Sequence, residues 1–243
     1  MSSWFSTWFD SDYYHLLYQH RNDIEAQFFM NNLIEHLGIR SRSKILDLAC
    51  GKGRHSIYLA DKGFDVIGVD LSPESIGHAK QFEQKKLHFY THDMRKELNL
   101  GQFDFIFNLF TSFGYFNSEK EHIDTLRNIR NCLKSNDSIL VIDFFNALKT
   151  IKELVLSEKK VVSDITFNIN RYVENGYILK NIRFEDKAKS FYFQERVRAF
   201  LKDDFERLLK EVDMQLINTY GDYDLSEFNK QKSNRLILIA KPC

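Results

Sequence analysis

The stretch Lys44-Ile-Leu-Asp-Leu-Ala-Cys-Gly-Lys-Gly-Arg-His-Ser-Ile-Tyr-Leu-Ala60 sets a glycine-rich turn between an apolar run and a helical pattern. A strand, a tight turn and a helix in that order belong to an open α/β sheet, so this segment constrains the fold more than any other. Gly51 and Gly53 let the backbone turn sharply and approach a ligand. Amides at the helix start, Gly53 to His55, favour an anionic group nearby. The pattern then repeats. Apolar runs at Lys44–Ala49, Phe64–Asp70, Leu87–Thr91, Phe103–Asn108 and Ser138–Phe144 predict five strands, with helices over Arg54–Lys62, Pro73–Lys85 and Glu119–Leu133 between them. Ser72 is a fitting cap for the helix that Pro73 opens.

Helical stretches precede this block, over Asp12–Tyr18 and Asn22–Leu37, the second stopped by Gly38. Beyond Asn146 the alternation breaks. Lys160–Tyr172, Gly176–Phe184 and Ser190–Phe200 read as three antiparallel strands, with Asn175-Gly176 a strong hairpin signal. A helix over Asp203–Val212 and strands Met214–Tyr220 and Leu236–Ala240 then complete the main sheet. The expected organisation is a helical cap at 1–40, a Rossmann-like domain made of 41–148 and 201–243, and an antiparallel insertion at 149–200 serving as a substrate cover or a dimer surface.

Composition excludes several classes. Lys plus Arg and Asp plus Glu both number 34, so no global field draws the chain to nucleic acid or anionic lipid. Cys50, Cys132 and Cys243 form no close-spaced pair, which argues against a zinc site or a disulfide scaffold; neither a metal nor an oxidising compartment is expected. The first ten residues lack a cationic start and a continuous apolar run, so the expectation is a cytoplasmic protein without a membrane span.

Asp47, four residues before Gly51, discriminates among nucleotide ligands. Its carboxylate balances a ligand ammonium and repels a dinucleotide pyrophosphate, and Ser56 stands where the dinucleotide fingerprint has its third glycine. S-adenosylmethionine (SAM) fits better than NAD. Asp70 closes the second run 19 residues after Gly51, near the spacing at which an acid accepts from both ribose hydroxyls.

With these residues the chain resembles the class I SAM-dependent methyltransferase family. Its first motif matches Asp47, Ala49, Cys50, Gly51 and Gly53, with His55 just beyond; its ribose acid matches Asp70, followed by Leu71 and Ser72; its adenine loop matches His92-Asp93-Met94-Arg95; its fourth-strand motif spans Phe103 to Phe110 and includes Asn108. The resemblance implies a seven-stranded, mostly parallel sheet whose last strand is antiparallel, SAM across the strand ends, and S-adenosylhomocysteine as product. A narrower resemblance, to sugar N,N-dimethyltransferases, comes from Asn108-Leu-Phe-Thr-Ser-Phe-Gly-Tyr-Phe116, the aromatic segment Tyr14–Tyr18 with Arg21, and the late insertion. It implies that the amino-terminal segment closes over SAM, which makes Tyr14 and Arg21 cofactor contacts. It also implies a small-molecule acceptor at nitrogen or oxygen; the alternatives are a protein or RNA acceptor, or SAM binding without turnover.

Methyl transfer from a sulfonium needs alignment and exclusion of water more than a base, yet an amine must be neutral and a phenol ionised when it attacks. Tyr115, His15, His122 and Asp143 are the candidates by position. Base-directed chemistry is disfavoured: the chain has two prolines, Pro73 and Pro242, hence no Pro-Pro-aromatic segment, and no cysteine follows a proline. Structural readings compete at several positions. Tyr14 and Tyr18 would stack on one helix face, Arg54 reads as a solvated charge, Phe113, Tyr115 and Phe116 as core, and Asp93, Asn108 and Asp143 as turn residues.

Overall fold

Lys44–Leu48 (β1) is apolar apart from its first residue and Asp47 because it lies at the centre of a sheet covered on both sides, and Ile45 to Leu48 are all buried. In this computed structural model, which describes residues 4–18 and 23–243, β1 pairs in parallel with Asp65–Asp70 (β2) and with Phe105–Asn108 (β4). Leu87–Thr91 (β3) extends one side and Ile139–Phe145 (β5) the other. Arg235–Pro242 (β11) then lies antiparallel between β5 and Met214–Tyr220 (β10), giving the order β10-β11-β5-β4-β1-β2-β3. The fold is therefore α/β, a seven-stranded mostly parallel sheet with one antiparallel strand. Helices α3 (Asp23–His36), α4 (Arg54–Asp61) and α5 (Pro73–Ala79) bury Phe29, Leu33, Leu59 and Ile76 in one core, while α6 (Glu119–Cys132) and α8 (Lys202–Lys210) bury Leu126, Ile129, Phe205 and Leu208 in another. Expected α5 is shorter than Pro73–Lys85: after a 3-10 turn at Lys80–Phe82, Gln84 and Leu87 exchange backbone hydrogen bonds of 3.1 and 2.9 Å, and this turn delivers the chain into β3.

The insertion has four antiparallel strands, not three: Ser157–Val162 (β6), Ile165–Glu174 (β7), Tyr177–Asp186 (β8) and Lys189–Arg198 (β9), in sequential order. The continuous strand expected over 160–172 is divided by Ser163 and Asp164, at φ 47° and 66°. Two successive left-handed residues match the twist of a hairpin. Val161-Val162 before them and Ile165-Thr166 after them carry strand propensity across the turn, which hides it. The Asn175-Gly176 turn is where it was expected, at φ 50° and 75°. Two short helices had no sequence expectation, Trp4–Phe9 (α1) and Ala147–Lys152 (α7).

The amino-terminal helices pack on the four-stranded sheet. Trp8 and Leu17, the latter closing Asp12–Leu17 (α2), are buried against Phe167, Ile169, Ile182 and Phe184. The indole N–H of Trp8 and the hydroxyl of Tyr18 both donate to Glu195 Oε1, at 2.7 and 2.6 Å. On the other side, the Asp10 carboxylate accepts from the Ser72 hydroxyl at the start of α5. This cap thus bridges the small sheet and the carboxyl edge of the large one. No helix among the described residues is long and apolar enough to cross a membrane.

Candidate active site

The carboxyl ends of β1, β2 and β4 open on a cavity of about 320 Å³, located where the strand order reverses between β1 and β4. Leu48 to Lys52 line its base, Asp70 and Leu71 one side, His92 to Met94 another, Leu109 to Ser112 the far wall, and Phe9, Tyr14 and His15 of the cap close it. Left-handed backbone is concentrated at its rim: Ala49, Gly51, Phe110 and Thr111 have φ of 66°, 56°, 54° and 62°. For the non-glycine residues such a conformation costs on the order of 1 kcal/mol each, and it persists only where the surroundings enforce it.

Asp70 enforces the first of these turns, and a second acid, Asp47, lies beside it. Asp70 accepts from the Gly51 amide through Oδ2 at 2.8 Å and from the Ser72 amide through Oδ1 at 2.9 Å. A Cβ on Gly51 would meet no atom within 4 Å, so its backbone stands open. Asp47 is 2 % exposed and accepts the Ser56 hydroxyl at 2.6 Å. Burial pushes the Asp47 carboxyl up to about 6 against the opposing effect of that hydrogen bond, and burial raises Asp70 as well. Neither acid forms an ion pair among the described residues. The cavity is therefore poised to receive positive charge.

A third acid, Asp93, is held by the fork of Arg95, at 3.0 Å from Nε and 2.7 Å from Nη2, and Arg95 reaches on to Glu121 at 3.0 Å. The Arg95 guanidinium holds the Asp93 carboxyl below its usual range despite partial burial. On the far wall, the Phe110 ring stacks on His55 with centroids 4.8 Å apart, and the Arg54 guanidinium lies 5.2 Å from the same ring. The Phe110 amide donates to Asp143 Oδ2 at 2.8 Å, and the Thr111 amide to the Asp143 carbonyl at 2.9 Å. Arg235 completes this support, with Nε 2.7 Å from Asp143 Oδ1 and Nη2 3.0 Å from the Thr111 hydroxyl.

A switch-point cavity in which two of three acids lack an ion-pair partner among the described residues, beside a glycine turn, is one chemistry's signature only when homologues agree. The Methyltransferase domain family model matches residues 45–136. Over 233 residues the chain is 34% identical to a glycine/sarcosine N-methyltransferase of Aphanothece halophytica, covering 91% of this chain and 83% of that protein. The chain belongs to the SAM-dependent methyltransferase family. Its fold superposes on the CcbJ methyltransferase of Streptomyces caelestis with a TM-score of 0.79 at 15% identity, over 98% of both chains, and on the sugar N-methyltransferase KedS8 of a Streptoalloteichus species with 0.73 at 18%, over 93% of this chain and 92% of that one.

In this methyltransferase the cavity brings together Tyr14, Asp47, Ala49, Cys50, Gly51, His55, Asp70, Leu71, Asp93, Met94 and Phe110 of the residues expected to hold SAM. Arg21 lies outside the described residues. Gly53, Ser72 and Asn108 do not line it. Gly53 serves packing: a Cβ there would lie 2.6 Å from the Phe89 ring, so glycine lets α4 close on β3. Ser72 caps α5 by accepting the Ser75 amide at 3.0 Å. Asn108 is buried and ties β4 to β1 through a 3.0 Å bond to the Leu48 carbonyl. Among the candidates for proton transfer, Tyr115 and His15 line the cavity, and two are corrected. His122 is 1 % exposed, packed on Phe113, Phe116 and Phe200, with burial lowering its pKa. Asp143 is fully buried beneath the Phe110–Thr111 turn.

Arg54, read as a solvated charge, is a wall residue instead; His92 of the adenine loop and Thr111 and Ser112 of the Asn108–Phe116 segment also line the cavity, and Phe9, Lys52 and Ser75 line it without having been anticipated. The signal for Arg54 was available, since it directly follows the glycine turn. Tyr115 also borders a second cavity, of about 410 Å³, walled by Phe145, Thr150, Glu153, Leu154 and Val155 on one side and by Glu158, Arg171, Ile178, Lys180, Glu195 and Val197 of the inserted sheet on the other.

Proposed function

We propose that this methyltransferase transfers the methyl group of SAM to nitrogen or oxygen of a small molecule, with SAM in the first cavity and the acceptor in the second. The observation that carries the reading is that the two cavities share Tyr115. An acceptor space walled in by an inserted sheet suits a compact molecule better than a polymer, which needs an open docking face. The relatives support it in kind: the glycine/sarcosine N-methyltransferase and the sugar N-methyltransferase both act on small amines by their names.

Asp70 would take the ribose hydroxyls, the open Gly51 backbone and Asp47 the amino-acid end, Asp93 and Met94 the adenine, with Tyr14 of the cap closing the site. When bound, SAM supplies an electrophilic methyl group for in-line displacement. The protein's own task is alignment and exclusion of water, for which the cap and the strained far wall are suited. Tyr115 is the side chain placed to orient the acceptor atom or carry its proton, with His15 as the other candidate. The test uses SAM with a labelled methyl group, presented with a panel of amines, amino acids, amino sugars and phenols, and separately with total RNA and total protein. Label in small molecules is expected; label in polymer alone would refute the acceptor class.

The Asp47 pKa gives this reading a pH dependence. SAM carries positive charge, so ionised Asp47 favours it, and affinity falls as pH drops through about 6, by up to about tenfold per unit. The unliganded protein behaves oppositely. Folded Asp47 binds its proton more tightly than the unfolded side chain, from 3.8 to about 6, so its contribution destabilises the fold by about 3 kcal/mol above that window and fades as pH falls through it. Calorimetric titration with SAM from pH 5 to 8 measures the first effect. Asp47→Asn should flatten the curve; an unchanged curve in that variant would assign the dependence to another group.

A further inference from the structure

Across the face of the small sheet that walls the second cavity runs a row of charges. Arg171 on β7 stands directly opposite Lys180 on β8, and Lys180 directly opposite Glu195 on β9. Arg171 is paired with Glu158 of β6 at 3.0 Å, and Lys180 with Glu195 at 3.6 Å. The order is thus acid, base, base, acid, with the two cations as cross-strand neighbours at the centre. Like charges directly opposite each other destabilise a sheet, and these two are largely buried, their side chains only 20% and 13% exposed. Burial and the neighbouring Arg171 both work against the charge on Lys180.

The flanking acids do not fully relieve the pair. Glu195 commits Oε1 to Trp8 and Tyr18 and lies 3.6 Å from Lys180, beyond a hydrogen bond; the Lys180 ammonium donates to the Tyr18 hydroxyl, a neutral partner that leaves its charge unbalanced and its other donors available. Arg171 uses Nη1 on the Val155 carbonyl and Nη2 on Glu158, which leaves guanidinium donors for a further acceptor. Glu153, the remaining acid of the cavity, has a side chain 61% exposed and is screened by solvent. Apolar side chains, Phe145, Leu154, Ile178 and Val197, make up much of the remaining wall.

From this juxtaposition of Arg171 and Lys180 in a cavity continuous with Tyr115, we infer that the acceptor carries a carboxylate, which seats between the two cations and fixes the molecule with its nucleophilic atom toward Tyr115. The inference rests on the reading of the second cavity as the acceptor's. The chemistry selected is an acidic molecule with an apolar body: the cavity, at about 410 Å³, is far larger than a small amino acid fills, and lies in the range that holds ligands of drug size.

The test pairs each acid with its neutral isostere. Benzoate, 4-aminobenzoate, phenylalanine and tryptophan are compared with their carboxamides by ligand-observed NMR and calorimetry, on protein alone and on protein saturated with S-adenosylhomocysteine. SAM binding is titrated first, so its absence refutes the cofactor reading and is scored apart. Carboxylates are expected to bind about tenfold more tightly than their amides, the effect of a hydrogen bond to a charged group. Arg171→Gln and Lys180→Gln should abolish the preference with SAM affinity unchanged, and Arg171→Lys should retain part of it. A wild-type protein that binds no carboxylate better than its amide overturns the inference. So does a preference that survives both glutamine variants.

Discussion

Asp70→Ala should weaken SAM binding by two to four orders of magnitude while leaving the protein folded. The Asp70 carboxylate is doubly engaged: it holds the Gly51 and Ser72 amides at 2.8 and 2.9 Å and, on the proposed reading, takes the ribose hydroxyls as well. Each hydrogen bond to a charged group is worth about 1.5–3 kcal/mol, and two such bonds to the ribose give the expected range. Loss of the amide contacts adds to it, because the Gly51 turn at φ 56° loses the acceptor that shapes it. Asp70→Asn separates the two parts. An amide oxygen can still accept one of the backbone amides, so that variant should keep the turn and lose most of the ribose contact, with an intermediate affinity. The protein is only partly exposed at Asp70 and burial raises its pKa, so neither substitution removes a stabilising charge from the fold. Calorimetry of both variants with SAM and S-adenosylhomocysteine measures the effect. Wild-type affinity in a well-folded alanine variant would remove Asp70 from the site.

Asp70 and Asp47 were legible because strand, glycine turn and acid spacing are local properties of sequence, and the βα unit leaves them few arrangements. The five parallel strands followed from the same alternation, and Met214–Tyr220 appears as a strand over the residues expected. What lay hidden depends on contacts between distant residues. Ser163-Asp164 makes a turn because the flanking strands pair with each other, and in the run from Val161 to Thr166 only the turn-forming residue types of these two, without a glycine or asparagine, mark it. His122 and Asp143 carry the residue types of acid–base chemistry, yet the packing of Phe113, Phe116 and Phe200 encloses the first and the arrival of β11 beside β5 encloses the second. Arg235, far along the chain, holds the Thr111 hydroxyl in the cavity wall, a contact that no local pattern of sequence shows.

That last arrangement predicts the largest loss of stability. Arg235→Met should lower the folding free energy by about 3–5 kcal/mol, because it strands the fully buried Asp143 without its cation. For a chain of this size the melting temperature should fall by roughly 10 °C. Arg235 also holds the Thr111 hydroxyl and orients the Asp143 carboxylate that accepts the Phe110 amide, so the same substitution removes one tether of the strained cavity wall and loosens the other. SAM affinity should therefore drop with stability. Asp143→Asn keeps an acceptor for the Phe110 amide and removes the charge, leaving Arg235 to water at its partly exposed edge. If the ion pair is the organising element, the Arg235→Met/Asp143→Asn protein should be more stable than the sum of the single losses allows, with a coupling of about 2 kcal/mol, and should regain part of the SAM affinity. Strictly additive losses would mean that the two residues support the Phe110–Thr111 turn independently, Arg235 through the Tyr223 ring 5.5 Å from its guanidinium and Asp143 through the backbone, and not through each other.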